Sequence, residues 1–278
     1  MLRHLFTDWD RPLNDIVIIT LAGFTTGITT GITTVLFGFG GGFVVVPFVY
    51  QLLLRQPNVA SQAMHIAVAT STAVMIFNAG WASWQNWRAG KLPTQVLFPL
   101  LWFIALGAVL GSWLAGLLGD GVVRTLFILY MVITIGDCLL RKGFFTGTTT
   151  RPLLHRTVSG GGIIIGTVAA LLGVGGSVMT VPLLRRHGYT MQESVSAANP
   201  LSLPVALCGS VTYAISGWQQ IPMSGFLGFI SLKSLALLVG AGWLGILFTR
   251  RYLPAVPDVW HARIYVLLLC IVLLAMVV

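Results

Sequence analysis

Two glycine clusters carry the chemistry open to this sequence. Leu36 to Tyr50 reads LFGFGGGFVVVPFVY and Leu171 to Arg185 reads LLGVGGSVMTVPLLR, so that at an offset of 135 positions Gly38, Gly40, Gly41 and Pro47 meet Gly173, Gly175, Gly176 and Pro182. Self-similarity of this kind marks an internal duplication. In each copy a long apolar segment runs into the glycines, and a shorter apolar segment with a proline follows. Glycine takes up backbone angles that other residues avoid, so each cluster predicts a helix break with bare N–H groups at the start of the half-helix beyond it. Such a start carries about half a positive charge, and two of them near a bilayer midplane make an anion site without a fixed cation. Gly40, Gly41, Gly42 and Phe43 supply the donors in the first copy, and Gly175, Gly176, Ser177 and Val178 in the second. Ser177 stands where the first copy has Gly42; it either caps its half-helix or offers the ligand a hydroxyl.

Polar side chains follow each cluster. Thr70, Ser71 and Thr72 precede an apolar stretch in the first half, as Asn199, Pro200 and Ser202 do in the second, and aligning Pro93 with Pro222 pairs Thr70 with Asn199. These groups bond either the oxygens of an anion or a neighbouring helix. Asn78, Ser210, Thr212 and Tyr213 are further lining candidates. Lys233 stands eleven positions into the run from Pro222 to Phe248. A cation near the bilayer centre costs about 2.5 to 3.5 kcal/mol, which an anionic substrate would offset and which a stem reaching the surface would avoid.

Other chemistries lack their residues. Asp10, Asp15, Asp120, Asp137, Glu193 and Asp258 lie near predicted segment ends, so no midspan acid offers itself as a proton carrier. His65 begins a span and reads as an interfacial histidine or a proton relay. There is no HExxH, no pair of midspan acids and no Walker motif, so neither an enzyme nor a nucleotide-driven pump is expected, and no cofactor or metal. Cys138, Cys208 and Cys270 fall inside apolar runs without CxxC spacing and read as packing residues.

The elements that position these residues are membrane helices. Of 278 residues 56% are hydrophobic and 8% charged, with mean hydropathy +0.90, where a soluble domain carries about 25% charged residues. The formal charge of +9 sits in short loops between apolar runs, where basic residues set membrane orientation; the sequence gives no reason to expect nucleic acid as a partner. The order is an N-terminal segment 1–15 with no cleavable signal, a first transmembrane repeat 16–140, a basic cytoplasmic linker 141–156 and a second repeat 157–278. Gly23, Gly27 and Gly31 put three glycines on one helix face, to pack within the bundle or between two chains of a homodimer. The six threonines from Thr25 to Thr34 either bond back to their own helix or line a polar path. Trp81, Trp84, Trp87, Trp218 and Trp260 read as interface anchors.

Arginine and lysine positions decide how the breaks cross the membrane. With the linker cytoplasmic and each broken segment crossing once, 8 basic residues face inwards and 7 outwards. If each broken segment is instead a hairpin that dips in and returns, the count becomes 11 against 4, with Lys233 in the membrane. The positive-inside rule selects the hairpins. Each half is then a re-entrant helical hairpin plus three transmembrane helices, and the second half is inverted relative to the first, the build of many secondary transporters.

The paired motifs GFGGGFVVVP and GVGGSVMTVP, with AVATS at Ala67 to Ser71 and GAGWLG at Gly240 to Gly245, resemble the TauE/SafE membrane permease family, or sulfite exporter family, over nearly the whole chain. The second half departs from the first at Asn199 and Pro200. The resemblance implies a multi-pass protein of the inner membrane that transports a small sulfur-containing anion, such as sulfite or an organosulfonate, often as an exporter. The residues alone also admit an anion channel, an importer of another small carboxylate or sulfur anion, or a non-transporting receptor or assembly subunit. For a carrier, the expected substrate contacts are the eight break residues with Thr70, Ser71, Asn199 and Lys233.

Overall fold

A computed structural model describes residues 13–56, 58–140, 153–218, 224–253 and 257–277. Within them the chain is an all-α membrane bundle: α1 (Leu13–Phe37), α2 (Gly42–Leu54), α3 (Ala63–Arg88), α4 (Thr94–Ala115), α5 (Asp120–Leu140), α6 (His155–Leu172), α7 (Ser177–Arg186), α8 (Met191–Gly217), α9 (Leu232–Tyr252) and α10 (Asp258–Val277). Eight of these are long and apolar enough to span a bilayer. The exceptions are α2 and α7, of 13 and 10 residues; at 1.5 Å per residue they reach about 20 and 15 Å, short of a hydrocarbon core of about 30 Å. Most of the basic linker, residues 141–152, and the start of the N-terminal segment lie outside the described residues.

Ion pairs and caps fix the direction of each helix. Asp120, first residue of α5, accepts the Met64 and His65 N–H groups at the start of α3. Asp258, first residue of α10, accepts the Met191 N–H at the start of α8 and pairs at 2.8 Å with Arg185 near the end of α7. Arg186 pairs with Asp137 near the end of α5, and Arg250 of α9 donates to Asn86 of α3 at 2.9 Å. One face therefore gathers the ends of α3, α5, α7 and α9 with the starts of α4, α6, α8 and α10. It is the linker side, because the linker joins α5 to α6. Arg185, Arg186 and Arg250 lie there with Arg88, as the hairpin topology requires and single crossings forbid.

Glycine faces then lock the halves together. Along α1, Gly23, Gly27 and Gly31 meet Leu237, Ala241 and Gly242 of α9 in rising order, so the two helices run parallel. Gly107 and Gly111 of α4 meet Ile163 and Thr167 of α6, while Gly162 and Gly166 meet Phe103 and Ile104, so this pair is parallel too. A Cβ on Gly31, Gly111, Gly166 or Gly245 would overlap a backbone carbonyl of the partner helix, the close approach that small residues permit between membrane helices. Each repeat's first helix thus packs on the other repeat's fourth. Since α9 runs toward the linker side and α4 away from it, α1 and α6 run in opposite directions and the repeats are inverted. The Gly23 face is occupied within the chain itself.

The second half departs from expectation between α8 and α9. An unbroken span from Pro222 to Phe248 is predicted, but Gly225 and Gly228 take left-handed angles (φ 94° and 57°) and turn the segment into a small hairpin, Phe226–Leu227 paired with Ile230–Ser231. Helix α9 starts only at Leu232. Gly228 packs directly on the backbone of Ala214, an approach that only glycine allows.

Candidate anion site at the paired helix breaks

Both breaks are hairpins that meet at the centre of the bundle. Gly41 lies beside Thr30 of α1, and the Phe48 ring beside Gly23, so α2 runs back along α1. Helix α7 starts beside Ile165 of α6 and returns to the linker side. About a third of the way along α3 (Ala63–Arg88), Ser71 Oγ stands 2.9 Å from the Gly42 carbonyl and 2.6 Å from that of Gly173, and its one proton can go to either. A Cβ on Gly42 would come within 2.7 Å of the Gly173 carbonyl and would collide with the Met75 sulfur, which also lies 3.3 Å from the corresponding position on Gly175. The tips therefore touch across Ser71 and Met75. These two residues sit four apart on one face of α3.

Neither half-helix has a side-chain cap. The first helical bonds are Val45 N–H to Gly41 O (3.3 Å) and Thr180 N–H to Gly176 O (2.9 Å), so the N–H groups of residues 42–44 and 177–179 precede the helical ladder, as at any helix start. Ser177 is the first helical residue, behind the N-cap Gly176, and its buried Oγ has no protein partner. It is not the cap that one reading of the sequence offered. Pro182 lacks an N–H, which frees the Val178 carbonyl within α7, and Tyr265 Oη donates to it at 3.1 Å.

The remaining expected contacts separate into two groups. Gly40, Gly41, Gly42, Phe43, Ser71, Gly175, Gly176, Ser177 and Val178 converge at the tips and are buried. Thr70 is buried too, but its hydroxyl accepts the Ser231 N–H at 3.1 Å, fastening α3 to the small hairpin. Asn199 donates through Nδ2 to the Thr34 carbonyl at 3.1 Å, leaving Oδ1 without a partner. Its structural counterpart is not Thr70. Gly40 packs on Met75 and Ala79 where Gly175 packs on Ser202, and Gly173 packs on Val68 where Gly38 packs on Val195, so α3 and α8 superpose at an offset of 127 and Asn199 answers to Thr72. Lys233 is exposed on the first turn of α9, two residues beyond Ser231, whose N–H the Thr70 hydroxyl accepts.

Two residues outside the expected contacts also stand at the tips, Met75, which the sequence did not single out, and Asn78, a further lining candidate. Asn78 is fully buried between Gly41 and Gly242, and neither its Oδ1 nor its Nδ2 has a hydrogen-bond partner. Thr30, also fully buried, keeps its hydroxyl unpaired, whereas Thr25, Thr29, Thr33 and Thr34 bond back to α1. His65 proves to be part of an N-terminal lock, its Nδ1 2.7 Å from Asp120 and its Nε2 3.2 Å from the Ala115 carbonyl.

Two inverted repeats, each broken after its first helix and meeting the other at the break, define a membrane transporter built on discontinuous helices. Comparison places it further: the chain belongs to the sulfite exporter TauE/SafE family, whose model matches residues 22–276. It is similar to a probable membrane transporter protein of Haemophilus influenzae, 25% identical over 220 residues that cover 79% of this chain and 80% of the relative. No solved structure matches the chain.

Proposed function

We propose that this protein is a secondary transporter that moves a small sulfur-containing anion, sulfite or an organosulfonate, across the inner membrane by alternating access, with the linker side in the cytoplasm and export as its direction. The observation that carries the reading is the meeting of two uncapped half-helix starts at the bundle centre, with Ser71 between them. Their N–H groups and dipoles favour negative charge at one point, without a fixed cation that would hold it too tightly to release. Close packing of the tips around Met75 favours an occluded carrier over an open pore. On the linker side a groove of about 320 Å³ runs between α5, α6 and α7, from the Asp137–Arg186 pair to Val178 at the start of α7.

In this reading the rocking of one repeat against the other exposes the tips to each side in turn. The test is counterflow in proteoliposomes loaded with radiolabelled sulfite, sulfoacetate or taurine. Saturable exchange of one of them supports the reading. If none moves while the purified protein stays folded, the sulfur assignment is wrong.

A further inference from the structure

Superposing the two breaks exposes a difference that the glycine pattern hides. Beside the N-cap glycine of the first break lie Thr30, Val74 and Asn78; beside that of the second lie Ile165, Leu201 and Thr180. At the offset of 135 Thr30 answers to Ile165, and at the offset of 127 Asn78 answers to Val205. Two apolar positions of the second repeat are thus a hydroxyl and a carboxamide in the first. Thr180 does not restore the balance, because its hydroxyl is committed to the Gly176 carbonyl at 2.6 Å.

These two polar side chains are left without protein partners. A buried, unpaired polar group costs about 1 to 3 kcal/mol, and Asn78 leaves both ends of its amide unpaired. Such groups are rare in folded proteins and need a reason. Here the reason lies beside them. Asn78 Nδ2 is 3.1 Å from where a Cβ on Gly41 would stand, next to the start of α2, whose first N–H groups precede the helical ladder.

We propose that the head group of the transported anion sits at the first break, taking hydrogen bonds from the Asn78 amide, the Thr30 hydroxyl and the α2 N–H groups, while its less polar part faces Ile165 and Val205 at the second. This rests on the anion-carrier reading above and sharpens it: the site is polar at one end, and it fits an alkyl sulfonate better than a symmetric inorganic oxyanion. The second break keeps one unpaired hydroxyl, Ser177, enough for a weak contact and too little for a second head-group seat.

The test uses the purified full chain in detergent with ethanesulfonate and sulfite as probes. Asn78→Leu keeps the shape of the side chain and removes both polar atoms; Thr30→Val does the same for the hydroxyl. The expected result for Asn78→Leu is a higher melting temperature without ligand, because the unpaired amide is gone, together with a loss of ethanesulfonate affinity of about tenfold or more. Thr30→Val follows in the same direction, and wild type binds ethanesulfonate more tightly than sulfite. A lower ligand-free melting temperature in Asn78→Leu overturns the seat, since the amide is then structural. Unchanged affinity in that variant overturns it as well, and sulfite binding as tightly as ethanesulfonate removes the head-and-tail orientation. If wild type binds neither probe, the sulfur-anion reading fails, and the ligand-free melting temperature of Asn78→Leu still decides whether a polar seat is there.

Discussion

The first and second breaks share a backbone plan, glycines before a short proline-bearing helix, and differ in the N-cap and in what surrounds it. Gly41 is left-handed (φ 96°) and faces Thr30 and Asn78; Gly176 is helical (φ −66°) and faces Ile165 and Leu201. Gly42 opens α2 with no side chain, hard against Met75 and the Gly173 carbonyl, whereas Ser177 opens α7 with a buried hydroxyl. A carrier needs the helix starts of both repeats to form one midplane site. It does not need them to contact the substrate alike, and an asymmetric substrate is held in one orientation by an asymmetric pair.

The largest effect should come from filling the tighter break. Gly42→Leu forces a side chain into Met75 and the Gly173 carbonyl, an overpacking worth about 1 to 3 kcal/mol, and flux in proteoliposomes should fall by two orders of magnitude or more. The reverse change at the other tip, Ser177→Gly, removes an unpaired hydroxyl and should leave flux within about threefold. Equal losses in the two variants would break the comparison.

Next in size is the lock on the linker side. Asp258 both caps α8 and pairs with the buried Arg185, whereas Asp120 caps α3 and, among the described residues, pairs with His65. Asp258→Asn should lower stability by about 2 kcal/mol, between the values for exposed and buried pairs, and by more than Asp120→Asn does, as thermal unfolding in detergent would show. The smallest effect is expected at Lys233. Lys233 is exposed on the first turn of α9, and Lys233→Ala should leave counterflow within about twofold of wild type, as exposed substitutions usually do. A tenfold loss would move the site toward α9.

Much of this build was legible in the sequence because glycine and proline act locally. The offset of 135 located both breaks, and the basic residues selected hairpins because Arg185, Arg186 and Arg250 had to share a side with Arg88. What stayed hidden depends on tertiary contact. The apolar run from Pro222 to Phe248 looks like one span, since two left-handed glycines do not alter its hydropathy. The pairing of Thr70 with Asn199 fails because the connection after α7 is shorter than that after α2, which changes the offset to 127 between the third helices. Asn78 reads as one more polar residue on a helix until α9 and Gly41 close around its amide.

The most direct test of the central claim, one midplane site reached from either side, is thiol labelling at the tip. In a chain with Cys138, Cys208 and Cys270 replaced, Ser177→Cys is treated with a membrane-impermeant thiol reagent from each side of sealed vesicles, with and without the transported anion. The account predicts labelling from both sides and protection by the anion on each. Labelling from one side only, or labelling that the anion does not slow, would contradict it.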